Sequence, residues 1–163
     1  MEIRTTRYDA PDAVKLNDLV QQEYVRRYGD GDVTPMDAAQ FEPPRGLYLL
    51  VYDPAGTAVA SGGWRAWDSS PEGFADGDAE IKRMFVVPEA RGLGLARALL
   101  AELETTAAAA GRTRMVLETG LRQPEAIALY TSCGYLSVPK FGFYRHDELS
   151  VCMGKELTAG LRA

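Results

Sequence analysis

The sequence predicts a single α/β domain in which a mixed β-sheet carries helices on both of its faces. Its length of 163 residues is typical of one domain. A chain that is 46% hydrophobic and 25% charged has the composition of a globular protein with a sizeable core. Segments with the periodicity of strands alternate with helical segments, and two strands form a hairpin, which indicates a mixed sheet. No linker divides the chain, so we expect residues 1–163 to form one domain.

The N-terminal half predicts a strand, a long helix and then an antiparallel hairpin. Residues 2–8 alternate as a strand does, and an apolar stripe with helical spacing follows up to Tyr28, with Asp9 as the expected N-cap. The GDGD segment at 29–32 ends this helix, and residues 36–41 are expected to form a short helix. The predicted strands of this half are 2–8, 47–53, 57–67 and 79–87.

The C-terminal half predicts two further helices, each followed by a strand. Apolar residues recur at helical spacing from Arg91 to Ala110, and Gly111 is a suitable residue to end that helix. A second helix is expected from Pro124 to Cys133, with proline in its first turn. The predicted strands of this half are 113–119, 135–139 and 148–157.

Charge and residue usage exclude several classes of protein. The net charge of −5, from 18 Lys and Arg against 23 Asp and Glu, disfavours binding to nucleic acid or to an anionic membrane. No apolar run approaches the length of a membrane span, and the N-terminus lacks a signal-peptide core, so a cytoplasmic protein is expected. With one histidine and two distant cysteines, Cys133 and Cys152, we expect no metal site. The sequence leaves a homodimer open.

The segment VPEARGLGLARALL, residues 87–100, combines two glycines with the start of a helix. The first amides of a helix lack internal partners and carry the positive end of its dipole, so they bind phosphate when glycines let it approach. Gly92 and Gly94 lie at this point, between the positive charges of Arg91 and Arg97. The segment lacks the Gly-Lys-Ser/Thr of a P-loop, and Arg97 stands where a dinucleotide-binding GxGxxG needs its third glycine.

Residues 91–96, RGLGLA, fit the pattern [Arg/Gln]-x-x-Gly-x-[Gly/Ala] between a strand and a helix. Three further features accompany this pattern: Glu80, eleven residues earlier on the preceding strand, LETG at 117–120, and AIALYTSCGY at 126–135. Together these residues resemble the GNAT superfamily of N-acetyltransferases. The resemblance covers residues 79–135 in detail and the N-terminal half only by the order of its elements.

The resemblance implies the GNAT fold, with a sheet that splays open between its fourth and fifth strands, here 79–87 and 113–119. The pantetheine arm of acetyl-CoA, the implied co-substrate, would lie in that opening. Backbone groups of Met84, Phe85 and Val86 would pair with the pantetheine amides, as an added strand does. The pyrophosphate would lie on the glycine turn and its flanks. The residues implied there are Arg91, Gly92, Leu93, Gly94, Leu95, Ala96 and Arg97.

The implied reaction is acetyl transfer to a primary amine of a small molecule or peptide, by direct attack in a ternary complex. At pH 7 roughly one alkyl amine in 2,500 is neutral, so a positioned base would lower the barrier. Glu80 is the expected base, and strand alternation puts it on one face with Lys82, Met84 and Val86. In the alternative interpretation, Glu80 only pairs with a neighbouring lysine or arginine.

The resemblance also places Tyr130 beside the thioester sulfur, where it would stabilise the leaving thiolate, although its spacing equally fits a core position. Two other functions stay open on this fold: an acyl-CoA-binding sensor that performs no transfer, and O-acyl or aminoacyl transfer. Glu80 and Tyr130 favour an enzyme, because a sensor needs neither. The acidic loop 68–78 directly precedes the strand of Glu80, so we expect it at the mouth of the cleft, favouring a cationic acceptor.

Overall fold

The computed structural model describes residues 1–157, which form a seven-stranded sheet and three α-helices. The sheet has the strand order β1-β2-β3-β4-β5-β7-β6. The strands are β1 (Glu2–Thr6), β2 (Gly46–Tyr52), β3 (Ala58–Trp67), β4 (Asp78–Val86), β5 (Arg114–Gly120), β6 (Leu136–Ser137) and β7 (Ser150–Glu156). The helices are α1 (Pro11–Tyr28), α2 (Leu95–Ala109) and α3 (Pro124–Ser132). The predicted α/β fold class is confirmed, and residues 158–163 of the predicted domain lie outside the described residues.

The sheet is mixed, and its parallel pairing is short. Within residues 1–157, all neighbouring strands are antiparallel except β4 and β5. These two strands pair only at Asp78–Arg114, Ala79–Met115 and Glu80–Val116. Beyond Glu80, β4 continues along β3, whereas β5 pairs with β7 over its whole length. The predicted splay between the fourth and fifth strands is confirmed.

Helices cover both faces of the sheet, as predicted. The hydroxyl of Tyr48 on β2 lies 3.5 Å from the amide oxygen of Asn17 on α1. Trp64 on β3 donates its indole N–H to the hydroxyl of Thr106 on α2 over 3.0 Å. Tyr48 pairs with Gly63, the neighbour of Trp64, so the two aromatic side chains point to opposite faces. Consequently α1 covers one face and α2 the other.

Arg83 interrupts the alternation of side chains along β4. Its φ of 60° lies in the left-handed region, and the pairing of β4 with β3 shifts by one residue around it. Such a shift marks a β-bulge, which exchanges the two faces of a strand beyond it. Met84 and Val86 therefore face α2. The expectation that they share a face with Glu80 and Lys82 is wrong for this reason.

The start of α1 also differs from the expectation. Asp9 accepts a hydrogen bond from Arg7 Nε over 2.8 Å, and the N-cap position belongs to Ala10. Pro11 opens the helix with a φ that already suits it. Among residues 1–157, no helix is both long enough and apolar enough to cross a membrane.

Two apolar clusters hold these layers together. The larger lies between the sheet and its helices and includes Leu99, Leu100 and Leu103 of α2, all 1% exposed or less. The smaller lies on the α1 face of β5 and β7, around Phe74 and Phe141. Apolar side chains therefore pack against both faces of the sheet.

The pair Asp78–Arg114 closes the sheet at the first contact between β4 and β5. Asp78 is 1% exposed and accepts two bonds from Arg114, at 2.8 and 2.9 Å. We expect Asp78→Asn to lower the free energy of unfolding by about 2–3 kcal/mol, less than for a fully buried pair because Arg114 reaches solvent. Urea unfolding measures this change. Glu2→Gln, which removes an exposed pair with Arg4, is the matched control and should have no measurable effect. Equal stability of the two variants would contradict the expectation.

Candidate active site

A cavity of about 440 Å³ opens where β4 and β5 part. Its walls come from the end of α1, the segment 30–33, the middle of β4, the end of β5 and the loop 144–150. The lining residues that matter most are Tyr24, Tyr28, Lys82, Glu118, Tyr144 and Ser150. Within residues 1–157, no group of three or more His, Cys, Asp or Glu side chains is arranged to hold a metal ion. Phenol, carboxylate and ammonium groups therefore line the space at the point where the two strands separate.

Glu80 lies at the last paired position of β4 and β5, and its carboxylate already has partners. Its Oε1 accepts N–H bonds from Arg65 Nε and from the Trp67 indole, both at 2.8 Å. The side chains of Arg65 and Glu80 are each 4% exposed, so they form a buried ion pair. In the described part of the chain, the cavity lining includes Lys82 but not Glu80. The structure thus contains the arginine pair of the alternative interpretation, and the role of Glu80 as a base stays a prediction.

Glu118 is a second carboxylate on the same face of the sheet, which the sequence analysis treated only as part of the LETG motif. Because Glu80 pairs with Val116, Glu118 lies two residues beyond the last contact with β4. It lines the cavity and accepts a short hydrogen bond from the hydroxyl of Ser150 on β7. Burial raises the pKa of Glu118 above its usual value, and the bond from Ser150 opposes this effect. The sequence signal that could have identified Glu118 is a carboxylate that directly follows the apolar residues 115–117 of the same predicted strand.

Two cations of β4, Lys82 and Arg83, meet one carboxylate in the cavity wall. Asp32 Oδ2 lies 3.4 Å from Lys82 Nζ and 3.4 Å from Arg83 Nη2. Burial opposes ionisation of Asp32, but Lys82, the hydrogen bonds from Thr34 and Arg83 outweigh it and lower the pKa to about 2. Within residues 1–157, Arg83 Nε has no hydrogen-bond partner. Ionised Asp32 therefore anchors the segment after α1 over the bulge of β4.

Tyr130 lies on α3 and packs into the larger apolar cluster. It is 7% exposed, and its ring meets Tyr135 edge-on with a centroid distance of 5.7 Å. Burial raises the pKa of Tyr130, as it does for Tyr24 of α1, whose pKa also responds to the Tyr130 phenol. Tyr130 is therefore a weaker acid than an exposed tyrosine. Its hydroxyl therefore donates a hydrogen bond more readily than it transfers its proton.

The glycine turn leaves the first amides of α2 open. The helix begins at Leu95 rather than at Arg91, because residues 88–90 form a separate short 3-10 helix and Gly92 and Gly94 have φ of 83° and 77°. Within the described chain, no side chain caps the N-terminus of α2. A Cβ at Gly92 or Gly94 would meet no described atom within 4 Å. The turn thus presents uncapped amides with space above them, as a phosphate site needs.

The two arginines that flank this turn bind to neighbouring elements. Arg91 donates from Nε to the carbonyl of Val86 and from Nη2 to Glu23 of α1, both over 3.1 Å. Arg97 donates to the hydroxyl of Ser132 at the end of α3 over 2.7 Å. The carbonyl of Val86, one of the groups expected to meet pantetheine, is therefore covered by Arg91.

In the described part of the chain, no residue of the acidic loop 68–78 lines the cavity, so the structure does not support the expectation that this loop lies at the mouth of the cleft. The loop joins β4 at Asp78, which belongs to the closed end of the β4–β5 pairing. Its acids are also engaged: Glu72 Oε2 lies 3.6 Å from Arg145 Nη1, and Asp76 accepts the backbone N–H of Ser69 over 2.7 Å. The splay opens at the opposite end of β4, after Glu80. The loop therefore gives no reason to prefer a cationic acceptor.

Sequence comparison supplies the family. The Acetyltransferase (GNAT) family model matches residues 13–135. The chain is 44% identical over 111 residues to the IAA acetyltransferase of Azospirillum brasilense, and the match covers 68% of this chain and 69% of that protein. The family match includes the glycine turn, α2, β5 and α1 from Ala13 onward, so it extends well beyond one motif.

Solved structures share the whole architecture. A protein of Klebsiella pneumoniae subsp. pneumoniae described as a presumed acyl-CoA N-acyltransferase has a TM-score of 0.77 and 32% identity, over 96% of this chain and 97% of that one. The phosphinothricin acetyltransferase of Sinorhizobium meliloti in complex with AcCoA has a TM-score of 0.69 over 100% of this chain and 92% of that one; at 21% identity it shows the fold alone. The sequence motifs, the splayed sheet and these matches together establish that the chain belongs to the GNAT family of acetyltransferases and is an acyltransferase.

Proposed function

We propose that this acyltransferase moves the acetyl group of acetyl-CoA to a primary amine of a small molecule or peptide. One observation carries the proposal: the pairing of β4 with β5 ends at Glu80. A cavity lined by ionisable side chains lies there on the α1 face, and a glycine turn with uncapped helix amides follows β4. A long cofactor with a pyrophosphate at one end and a thioester at the other fits such an arrangement. The Azospirillum relative is named an acetyltransferase, which supports the same choice.

The cofactor is proposed to bind mainly through backbone groups. Beyond Glu80, β4 has lost its pairing with β5, so the edge of Met84, Phe85 and Val86 is the place for pantetheine amides. The pyrophosphate would accept hydrogen bonds from the turn between Arg91 and Arg97, through the amides of Gly92, Leu93, Gly94, Leu95, Ala96 and Arg97. Arg91 would have to release the carbonyl of Val86 for that group to accept a bond from pantetheine.

The proposed chemistry is direct attack in a ternary complex. The amine nitrogen bonds to the thioester carbonyl carbon, the C–S bond breaks, and CoA leaves as a thiolate. Tyr130 is proposed to donate a hydrogen bond to this thiolate, because burial makes its phenol a weak acid that stays protonated. The nitrogen must also lose protons, and the sequence predicts Glu80 as their acceptor. That role requires Oε2 of Glu80, because Oε1 serves Arg65 and Trp67.

The cavity favours an amine as the acceptor. Among its described lining residues, four are acidic and two are basic: Asp30, Asp32, Glu118 and Asp147 against Lys82 and Arg83. An excess of carboxylates raises the local concentration of ammonium groups.

A thiol-release screen tests the function. The purified protein would be incubated with acetyl-CoA and arylalkylamines, polyamines, amino acids or short peptides, and free CoA and the acetamide would be measured. We expect release of CoA with at least one class of amine. Binding of acetyl-CoA without release for any acceptor would indicate the sensor function instead, and an ester product would indicate O-acyl transfer.

Replacing Gly94 should weaken acetyl-CoA binding. Gly94→Val places a branched side chain over the amides of the turn, and we expect the dissociation constant to rise at least tenfold, about 1.4 kcal/mol, in calorimetry. Gly111→Val is the matched control: Gly111 also has a positive φ, 87°, and its Cβ would also meet no described atom within 4 Å. The control shares the backbone strain and should bind normally. Equal affinity of both variants would place the pyrophosphate elsewhere.

Removing the Tyr130 hydroxyl should slow the reaction without weakening cofactor binding. We expect Tyr130→Phe to lower kcat by about 10–1000-fold, around the usual contribution of such groups, with an unchanged dissociation constant for acetyl-CoA. Tyr135→Phe is the matched control, because Tyr135 packs against Tyr130 but donates its hydroxyl to Glu104 over 2.8 Å. Full activity of Tyr130→Phe would leave Tyr130 as a core residue.

The Arg65–Glu80 pair should control stability strongly. Glu80→Gln keeps an oxygen for Trp67 but leaves the Arg65 cation buried without its partner, so we expect the free energy of unfolding to fall by about 3–5 kcal/mol. Adding Arg65→Met removes the unpaired charge and should restore part of the loss. Chemical denaturation of both variants checks this. A Glu80→Gln protein as stable as the parent would show that the pair contributes nothing.

A further inference from the structure

Two carboxylates lie on the α1 face of β4 and β5 near the splay, and their surroundings differ. Glu80 is inside the paired part of the sheet, bound to Arg65 and Trp67. Glu118 lies on β5 two residues beyond Val116, the partner of Glu80, which is roughly 6–7 Å along the strand. Its side chain lines the cavity. A base must reach the proton that it removes. Glu118 lines the cavity that an acceptor would enter, whereas Glu80 is held by Arg65 and Trp67 of β3.

We propose that Glu118 is the carboxylate that binds the ammonium group of the acceptor and takes its proton. The inference rests on the proposed function and assigns to Glu118 the role that the sequence predicted for Glu80. Glu80 is then a positioning residue, which holds Arg65 and Trp67 beside the site. The acceptor class that follows is a primary alkyl amine that arrives as an ammonium ion.

The surroundings of Glu118 suit this role. Ser150 donates to its carboxylate from β7 and orients it. Burial raises the pKa of Glu118, which brings it closer to that of an amine and makes it a more effective base. Besides Ser150, the charged and titratable groups that face it are Lys82 and Glu80 from β4, Asp32 from the segment after α1, Cys152 from β7, and Tyr144.

Lys82 does not neutralise Glu118 by a direct ion pair. Lys82 Nζ lies 3.4 Å from Asp32 Oδ2, which is ionised down to a pKa of about 2 and so binds this cation over the working pH range. Phenol rings of Tyr24, Tyr28 and Tyr144 surround the same cavity. Aromatic faces stabilise an ammonium ion that has left bulk water. The site therefore offers an incoming alkylammonium the Glu118 carboxylate beside an aromatic wall, while Asp32 is already engaged by Lys82.

Protons and bonds balance in this step. The ammonium gives one proton to the Glu118 carboxylate and becomes a free amine, which attacks the carbonyl carbon of acetyl-CoA. The C–N bond forms, the C–S bond breaks, and the thiolate leaves with a hydrogen bond from Tyr130. The second proton of the nitrogen goes to solvent or to the thiolate, and Glu118 returns its proton to water.

The test compares Glu118→Gln with the parent on a matched pair of probes, 2-phenylethylamine and 2,2-difluoro-2-phenylethylamine. Fluorine lowers the basicity of the amine, so the second probe is largely neutral at pH 7 and needs no base to free its nitrogen. We expect Glu118→Gln to lower kcat/KM for 2-phenylethylamine by about 10²–10⁴-fold, and to lower it far less for the fluorinated probe. Glutamine still accepts the Ser150 bond, and affinity for acetyl-CoA should be unchanged.

Two further variants complete the design. Glu104→Gln alters a partly buried carboxylate outside the cavity, bound to Tyr135 and Lys155, and should keep full activity. Ser150→Ala removes the bond that lowers the pKa of Glu118, so the acidic limb of the kcat/KM profile should move to higher pH. A serine with only a structural role would leave that limb in place.

The outcomes separate this inference from the proposed function. Equal loss on both probes, or full activity of Glu118→Gln on 2-phenylethylamine, overturns the inference while amine acetylation by the parent upholds the function. A folded, inactive Arg65→Met/Glu80→Gln protein beside an active Glu118→Gln would return the role of base to Glu80. If the parent acetylates neither probe nor any amine of the thiol-release screen, the proposed function itself fails.

Discussion

The parting of β4 and β5 is the constraint on which the rest of the structure depends. Each of the two strands pairs over a longer stretch with its other neighbour. β4 pairs with β3 on both sides of the bulge at Arg83, and β5 pairs with β7 at seven positions. The three shared positions end at Glu80, so the sheet behaves as two halves joined at one end. The cavity, the unpaired edge of β4 and the exposure of Glu118 all follow from this separation.

The same separation explains why two glutamates so close in the sheet have different surroundings. Where β4 and β5 pair, the side chain of Arg65 on β3 lies beside Glu80 and donates a hydrogen bond to its carboxylate. Beyond that paired stretch, among residues 1–157, no strand pairs with β5 from the β4 side, and the hydrogen bond to Glu118 comes from Ser150 on the other side. The difference between their surroundings comes from strand register rather than from residue type.

The sequence predicts the elements and the glycine turn well, because both depend on local properties. Apolar spacing locates α1 and α2, and Pro124 marks the start of α3. Gly92 and Gly94, which the sequence predicts at a turn between a strand and a helix, both have a positive φ. The bulge at Arg83 is different, since arginine carries no signal for a positive φ, and it exchanged the faces of Met84 and Val86. The partners of Glu80 and Glu118 lie 15 and 32 residues away in sequence, so only the assembled sheet reveals which acid meets the cavity.

The unpaired stretch of β4 also has a consequence for the solution behaviour of the protein. An open strand edge pairs with any extended chain, and proteins usually protect such edges with charge. The outer edge strand β1 has that protection in Glu2 and Arg4. The inner edge at Met84–Val86 is apolar, and Arg91 covers one carbonyl of it. This stretch of β4 therefore offers backbone groups with which an extended segment of another chain can pair.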